Sequence, residues 1–99
     1  MKKIPPPKHL SAEARRLWVT LCDEYVIDDA AGLLLVRSAL EAFDRLQGAR
    51  VLLAKEGAVV RDRWGQSKPH PALGVERDAA NRMHAALRAL KLEPGAFGS

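Results

Sequence analysis

The longest regular pattern of apolar residues lies between Ala30 and Glu56 and predicts one helix of about seven turns. Asp28 or Asp29 stands where an N-cap belongs, and Gly57 stands where a left-handed residue commonly ends a helix. Within this segment, apolar residues recur at alternating spacings of four and three, the spacing of a heptad seam. The residues of this seam are Leu35, Ala39, Ala42, Leu46, Ala49 and Leu53.

A second apolar stripe runs beside the seam over the first half of the same helix and consists of Val36, Leu40 and Phe43. A helix with so wide an apolar face needs more than one partner, and the alanines of the seam would let another helix approach closely. Two interpretations are open. Both stripes form core within one chain, or part of this face contacts other subunits and the seam is an oligomer interface.

Shorter patterns predict a helix on each side of the long one. Ser11 is a suitable N-cap for a first helix over about residues 11–25, in which Trp18 is the largest apolar side chain facing the long helix. A last helix over about residues 72–91 follows two prolines, although Gly74 weakens its first turn and favours a start nearer Val75. Its predicted core stripe is Leu73, Ala80, Met83, Leu87 and Leu90.

Residues 58–69 begin with a β-prone run and contain Gly65 at a turn, which predicts a small β-hairpin or an extended loop. The fold class that follows is mainly α: an antiparallel helical hairpin with a long central helix, a small β-hairpin or loop, and a C-terminal helix. We expect a basic, proline-rich arm over residues 1–10, a single helical domain over residues 11–94 and a flexible tail over residues 95–99.

Length and composition fit one small globular domain, with 99 residues of which 47% are hydrophobic. Few aromatic residues are present, so the core must be thin, and oligomerisation would supplement it. No apolar run is long enough for a membrane span and no signal-peptide pattern opens the chain, which favours a cytoplasmic protein. The single Cys22 excludes an intramolecular disulfide and fits a buried structural thiol.

The formal charge of +4 is unevenly distributed along the chain. Residues 1–10 carry +3 and residues 57–70 carry +2, whereas residues 11–29 carry −3. We therefore expect a polyanion to contact the arm, the central loop and the last helix rather than the first helix. The candidate DNA-binding residues are Lys2, Lys3 and Lys8 in the arm, Arg61, Arg63, Trp64 and Lys68 in the loop, and Arg77, Arg88 and Lys91 on the last helix.

Ordinary structural roles compete with this interpretation. Arginines that alternate with an aromatic residue are typical of a hairpin that contacts a nucleic-acid backbone. Equally, Trp64 could pack on the helical core while Arg61 and Arg63 keep the protein in solution. On the last helix, Asn81 and His84 complete a continuous polar face with the candidate cations. A solvated helix face is the usual explanation of such a pattern.

Catalytic and cofactor motifs are missing from the sequence. Its glycines form no phosphate-binding loop, and His9, His70 and His84 have no metal-ligand spacing to one another or to Cys22. No nucleophile stands with a base and an orienting group. We therefore expect no catalytic residue, no metal site and no cofactor, which leaves a binding surface.

The order of features along nearly the whole chain resembles the small subunits of phage terminases, the DNA-packaging machine of tailed phages. The resemblance begins with Pro7 and Leu10 before the first helix and continues through the long alanine-bearing helix that closes at Gly57. It then includes the loop that ends in Pro69 and Pro71, and the closing Leu90-Lys91-Leu92-Glu93-Pro94. Within the first helix the matching residues are Ala14, Trp18 and Leu21.

This resemblance implies a non-catalytic helical protein that assembles into a homo-oligomeric ring, binds double-stranded DNA and regulates the ATPase and nuclease of the large terminase subunit. The family's closing segment usually reads Leu-Gly-Leu and continues into a basic tail, whereas Lys91 replaces that glycine and residues 95–99 carry no charge. A prophage remnant or a gene-transfer particle with little sequence specificity would fit this form. The alternatives are a small oligomeric DNA-binding regulator, and a structural assembly factor that contacts the partner ATPase without binding DNA.

Overall fold

A computed structural model describes residues 4–91 of the chain. Its elements are, in order, α1 (Ala12–Glu24), α2 (Ala30–Glu56), β1 (Val59–Arg61), β2 (Ser67–Pro69) and α3 (Ala72–Ala89). The two strands pair antiparallel, with Val60 opposite Lys68. The predicted fold class, mainly α with a long central helix and a small hairpin before the C-terminal helix, is confirmed.

The start of α1 is fixed to the middle of α2 by Ser11 and Asp44. Ser11 Oγ accepts a hydrogen bond from the backbone N–H of Ala14 at 3.1 Å, so Ser11 is the N-cap of α1. The same hydroxyl donates to Asp44 Oδ1 at 2.6 Å, and the backbone N–H of Ser11 donates to Asp44 Oδ2 at 2.9 Å. Because Asp44 lies midway along α2, α1 packs beside the first half of the long helix only.

The apolar contact between α1 and α2 is centred on Trp18. Its side chain is buried in a cluster with Val36 and Leu40, the second apolar stripe of the sequence. Its indole N–H donates to the carbonyl oxygen of Ile4 at 3.0 Å, which satisfies the polar edge of the ring. The predicted role of Trp18 as the main apolar contact of α1 is confirmed.

A tight turn joins α1 and α2. Asp29 is the N-cap of α2, and its carboxylate accepts the backbone N–H of Gly32 at 3.0 Å. A Cβ atom at Gly32 would lie 2.7 Å from Asp29 Oδ1, so this close approach requires glycine. Val26 has a φ of 52°, a left-handed conformation that costs energy for a β-branched residue.

The second interface of α2 is with α3, which packs antiparallel along it. Four seam residues are 1–4% exposed within the single chain, and they are Ala39, Ala42, Leu46 and Ala49. The most buried residues of α3 are Ala72, Ala79 and Ala86, which recur every seven residues on one face. Small side chains on both helices allow their backbones to approach closely, as the alanines of the seam predicted.

The last helix begins where its predicted range of about residues 72–91 places it. α3 starts at Ala72, so Gly74 does not shift the start towards Val75. Leu73 and Leu87 of its predicted stripe are only half-buried, because the buried residues of α3 are the alanines just before them, Ala72 and Ala86. Large side chains therefore fill less of this interface than the predicted stripe of leucines indicated.

Candidate nucleic-acid interface

The β-hairpin stands between the end of α2 and the start of α3. Gly57, with a φ of 83° and a ψ of 161°, ends α2 in a conformation open essentially only to glycine, and the chain then enters β1. At the tip, the backbone N–H of Gly65 donates to the carbonyl oxygen of Asp62 at 3.0 Å. Gly65 has a φ of 79°, so the tip is a turn followed by a left-handed glycine, a common hairpin connection.

The carboxylate of Asp62 organises this tip. Asp62 Oδ1 accepts the backbone N–H groups of Trp64 at 2.9 Å and of Gln66 at 3.0 Å. Asp62 Oδ2 lies 3.3 Å from Lys68 Nζ on the opposite strand. The hydrogen bond from the backbone of Gln66, with those from Trp64 and Lys68, holds the pKa of Asp62 below its usual value. The sequence analysis did not single out Asp62, although an aspartate three residues before a glycine is a known turn signal.

Two side chains project from the tip into solvent. Trp64 is 71% exposed, so the interpretation in which it packs on the helical core is wrong. The guanidinium carbon of Arg63 lies 4.5 Å from the centroid of the Trp64 ring, in cation–π contact with it. Arg61 is exposed on β1. Lys68 is also exposed, but its ammonium group is paired with Asp62, so the arginines supply most of the uncompensated charge of the hairpin.

His70 anchors the base of the hairpin to both neighbouring helices. Its backbone N–H donates to the carbonyl oxygen of Ala58 at 2.8 Å. Its Nδ1 accepts the backbone N–H of Ala72 at 2.9 Å, so the ring proton is on Nε2, which donates to Glu56 Oε1 at 2.7 Å. The sequence indicated no role for His70 beyond its lack of metal-ligand spacing to other residues. The only hint in the sequence of its capping role was its position two residues before the first residue of α3, Ala72.

The other candidate cations lie elsewhere on the molecule. Lys8 is exposed just before α1, whose start lies beside the middle of α2. Arg77 and Arg88 are exposed on α3, and Lys91 follows the end of that helix with a φ of 60°. Lys2 and Lys3 lie outside the described residues.

These cations do not form one patch with the hairpin. Arg88 is about 24 Å along the axis of α3 from the first residue of that helix, where the hairpin joins it. Arg77 lies closer to the hairpin and contacts the neighbouring Asp78 at 3.5 Å, a weak surface pair. Among the described residues, the hairpin brings together four of the candidates, namely Arg61, Arg63, Trp64 and Lys68.

The predicted oligomer interface lies largely inside the chain. The four most buried seam residues are covered by α3, while Leu35 and Leu53 at the two ends are half-buried. A contact between the buried four and another subunit therefore requires α3 to separate from α2. Large apolar side chains do remain exposed on α2, at Leu34, Val51 and Leu52.

Within the described residues, the structure offers neither a cluster of metal ligands nor a membrane-spanning helix. Across residues 4–91, no three His, Cys, Asp or Glu side chains gather closely enough to hold a metal ion. None of the described helices is both long and apolar enough to cross a bilayer. Cys22 is half-buried, and burial, together with the charge of Asp23, raises the pKa of its thiol.

Comparison with known proteins identifies the family of this chain. A protein-family model described as phage terminase, small subunit, matches residues 11–96, which include every helix and the hairpin. Searches of curated proteins and of solved structures found no match to the chain. The match covers most of the chain and agrees with the order of features along the sequence. The chain therefore belongs to the phage terminase small subunit family.

Proposed function

We propose that this protein is a non-catalytic adaptor of a DNA-packaging machine, encoded by a phage, a prophage or a gene-transfer particle. In this role it binds double-stranded DNA, assembles with copies of itself and regulates the ATPase and nuclease of the large terminase subunit. The observation that carries the proposal is the exposed basic hairpin, presented by a rigid turn, in a chain of the terminase small subunit family.

The two arginines of the hairpin are the proposed phosphate contacts. Arg61 and Arg63 are exposed and form no ion pair among the described residues, whereas Lys68 is held by Asp62. A guanidinium group can donate two parallel hydrogen bonds to a phosphate, and such contacts position a protein without reading sequence. We therefore expect salt-sensitive binding that depends weakly on the DNA sequence.

Charge reversal tests the DNA contact. We expect Arg61→Glu/Arg63→Glu to lower retention of double-stranded DNA in a gel-shift assay at low salt. The matched control is Arg15→Glu/Arg16→Glu, which changes two exposed arginines of α1 that form no ion pair among the described residues. Both variants lose the same charge, so only a local contact can separate them. Equal retention by both would contradict the proposal and favour an assembly factor that does not bind DNA.

Self-association would use apolar surface that the single chain leaves uncovered. Val51 is 66% exposed and Leu52 is 43% exposed, and both lie one turn after Gly48 on the same side of α2. Adjacent exposed apolar side chains of this size are typical of a contact surface. We propose that this part of α2, rather than the covered seam, contacts the neighbouring subunit.

Native mass spectrometry of the purified chain in moderate salt tests this contact. We expect a closed assembly of many identical subunits for the natural sequence and a shift to monomer for Val51→Glu/Leu52→Glu. Val19→Glu, on the exposed side of α1, is the control and should leave the assembly intact. A monomeric natural chain at high concentration would refute self-association.

A further inference from the structure

We propose that the tip of the hairpin binds an unpaired nucleic-acid base by stacking it on the indole of Trp64. The inference rests on the proposed function, because it assumes that the hairpin contacts DNA, but it names a different part of the ligand. The arginines contact phosphate in any DNA, whereas Trp64 would select DNA that has bases available outside a duplex. Single-stranded segments, gaps and frayed ends provide such bases.

One face of the Trp64 ring is in contact with Arg63, and most of Trp64 is exposed to solvent. Arg63 stacks on the ring at 4.5 Å, and the side chain is nevertheless 71% exposed. A base placed on the opposite face would complete a stack of guanidinium, indole and base. Besides contacts to the phosphate backbone, proteins hold single-stranded nucleic acid by stacking bases on aromatic side chains and by cation–π contact with arginine.

The tip holds the backbone of Trp64 in place before any ligand arrives. Asp62 accepts the backbone N–H of Trp64 at 2.9 Å and that of Gln66 at 3.0 Å, and it pairs with Lys68 across the strands. Gly65 takes the left-handed position that the turn requires. Little backbone freedom is left to lose on binding, so the free energy of stacking is not spent on ordering the loop.

An unpaired base fits this ring better than a base pair within a duplex. Inside a duplex, both faces of each base are covered by neighbouring bases, so Trp64 could stack only after the neighbours had been separated. An unpaired base needs no such unstacking. The surroundings favour nucleic acid over an apolar protein pocket, since residues 57–70 carry a charge of +2 and the one carboxylate among them is paired with Lys68.

Binding of a 20-nucleotide oligo-dT and of a long fully paired duplex, each followed by fluorescence anisotropy, tests the inference. We expect Trp64→Ala to weaken oligo-dT binding by about fivefold to a hundredfold, the range for loss of one stacked base, and to change duplex binding by less than about twofold. Trp64→Phe keeps an aromatic face and should restore most of the loss. Leu34→Ala removes an exposed apolar side chain from α2 instead of the hairpin; it is the matched control and should bind both DNAs like the natural chain.

The outcomes separate this inference from the proposed function. If Trp64→Ala weakens the binding of oligo-dT and of the duplex equally, or leaves both unchanged, the stacking of an unpaired base is refuted. Unchanged binding of both would fit a Trp64 that contacts a partner protein. Duplex binding that still responds to Arg61→Glu/Arg63→Glu would leave the proposed function standing in either case. Quenching of tryptophan fluorescence by oligo-dT provides a second readout. We expect quenching that disappears in Trp64→Phe, because Trp18 is buried, and quenching that persists in this variant would also refute the stack.

Discussion

Replacing His70 with alanine is the most direct test of how the hairpin is held on the helices. The ring is 8% exposed and makes two hydrogen bonds, from the backbone N–H of Ala72 to Nδ1 and from Nε2–H to Glu56. Loss of an N-terminal capping acceptor costs about 0.5–2 kcal/mol. A hydrogen bond to a charged group contributes about 1.5–3 kcal/mol, with the lower end expected here because Glu56 is 46% exposed.

These contributions give an expected loss of about 2–3 kcal/mol in the free energy of unfolding for His70→Ala. For a domain of this size the midpoint of thermal unfolding should fall by about 10–20 °C. Urea unfolding followed by circular dichroism measures the change. His84→Ala, which removes an exposed imidazole from α3, should stay within about 0.5 kcal/mol of the natural chain.

The contrast between the two histidines is the point of the test. If His70→Ala and His84→Ala unfold alike, the two hydrogen bonds of His70 do not hold the hairpin, and the structural argument for a rigid hairpin fails. If only His70→Ala is destabilised, its weaker hairpin should also bind DNA less tightly at temperatures where the helices remain folded. A gel-shift assay on the same samples measures that second effect.

Four further predictions concern the backbone and the hairpin tip. Gly48→Ala should raise the free energy of unfolding by about 0.5–1 kcal/mol, because a Cβ there meets open space within a helix. Gly32→Ala should lower the free energy of unfolding, because its Cβ would approach Asp29 Oδ1 at 2.7 Å. Urea unfolding of both variants should show changes of opposite sign. Val26→Gly should raise it by about 1 kcal/mol by relieving a left-handed valine, and no gain in thermal unfolding would contradict this. Asp62 has a lowered pKa when folded, so its contribution to the hairpin is fully present above its ordinary pKa of about 4 and should be lost as the pH falls from there through the lowered folded pKa. The amide NMR shifts of the tip should change with this titration, and in Asp62→Asn they should no longer change with pH.

Much of the fold was predictable because its signals are local. Ser11 and Asp29 cap the first two helices through hydrogen bonds to N–H groups three residues ahead, and such spacing is visible in a sequence. The hairpin followed from a β-prone run and Gly65, and the mainly α class followed from the period of apolar residues. These features depend on neighbours within a few positions of the chain.

The remainder depends on contacts between distant residues. Asp44 binds Ser11 across 33 positions, and Glu56 binds His70 across 14, and no sequence pattern marks either pair. The seam predicted close packing by alanines but not which helix would cover it. That helix is α3, which contributes alanines of its own at Ala72 and Ala79.

In the candidate site, too, some features were visible in the sequence and others depend on contacts in the folded chain. Composition indicated Arg61, Arg63 and Trp64, because alternating cations and an aromatic residue are visible in the sequence. The exposure of Trp64 was not visible, since an indole at a turn can equally fold back onto the helices. Asp62 decides the geometry of the tip; its spacing to Gly65 marks a turn in the sequence, but its hydrogen bonds to Trp64 and Gln66 appear only in the folded turn.

The salt dependence of duplex binding tests the central claim, that the hairpin contacts DNA phosphates. The equilibrium constant of the natural chain and of Arg61→Ala/Arg63→Ala would be measured from low to moderate salt. Each phosphate contact adds about 0.9 to the slope of log K against log salt concentration, so losing two should lower its magnitude by about 1.8. Arg15→Ala/Arg16→Ala should keep the slope of the natural chain. Identical slopes for all three proteins would contradict the claim.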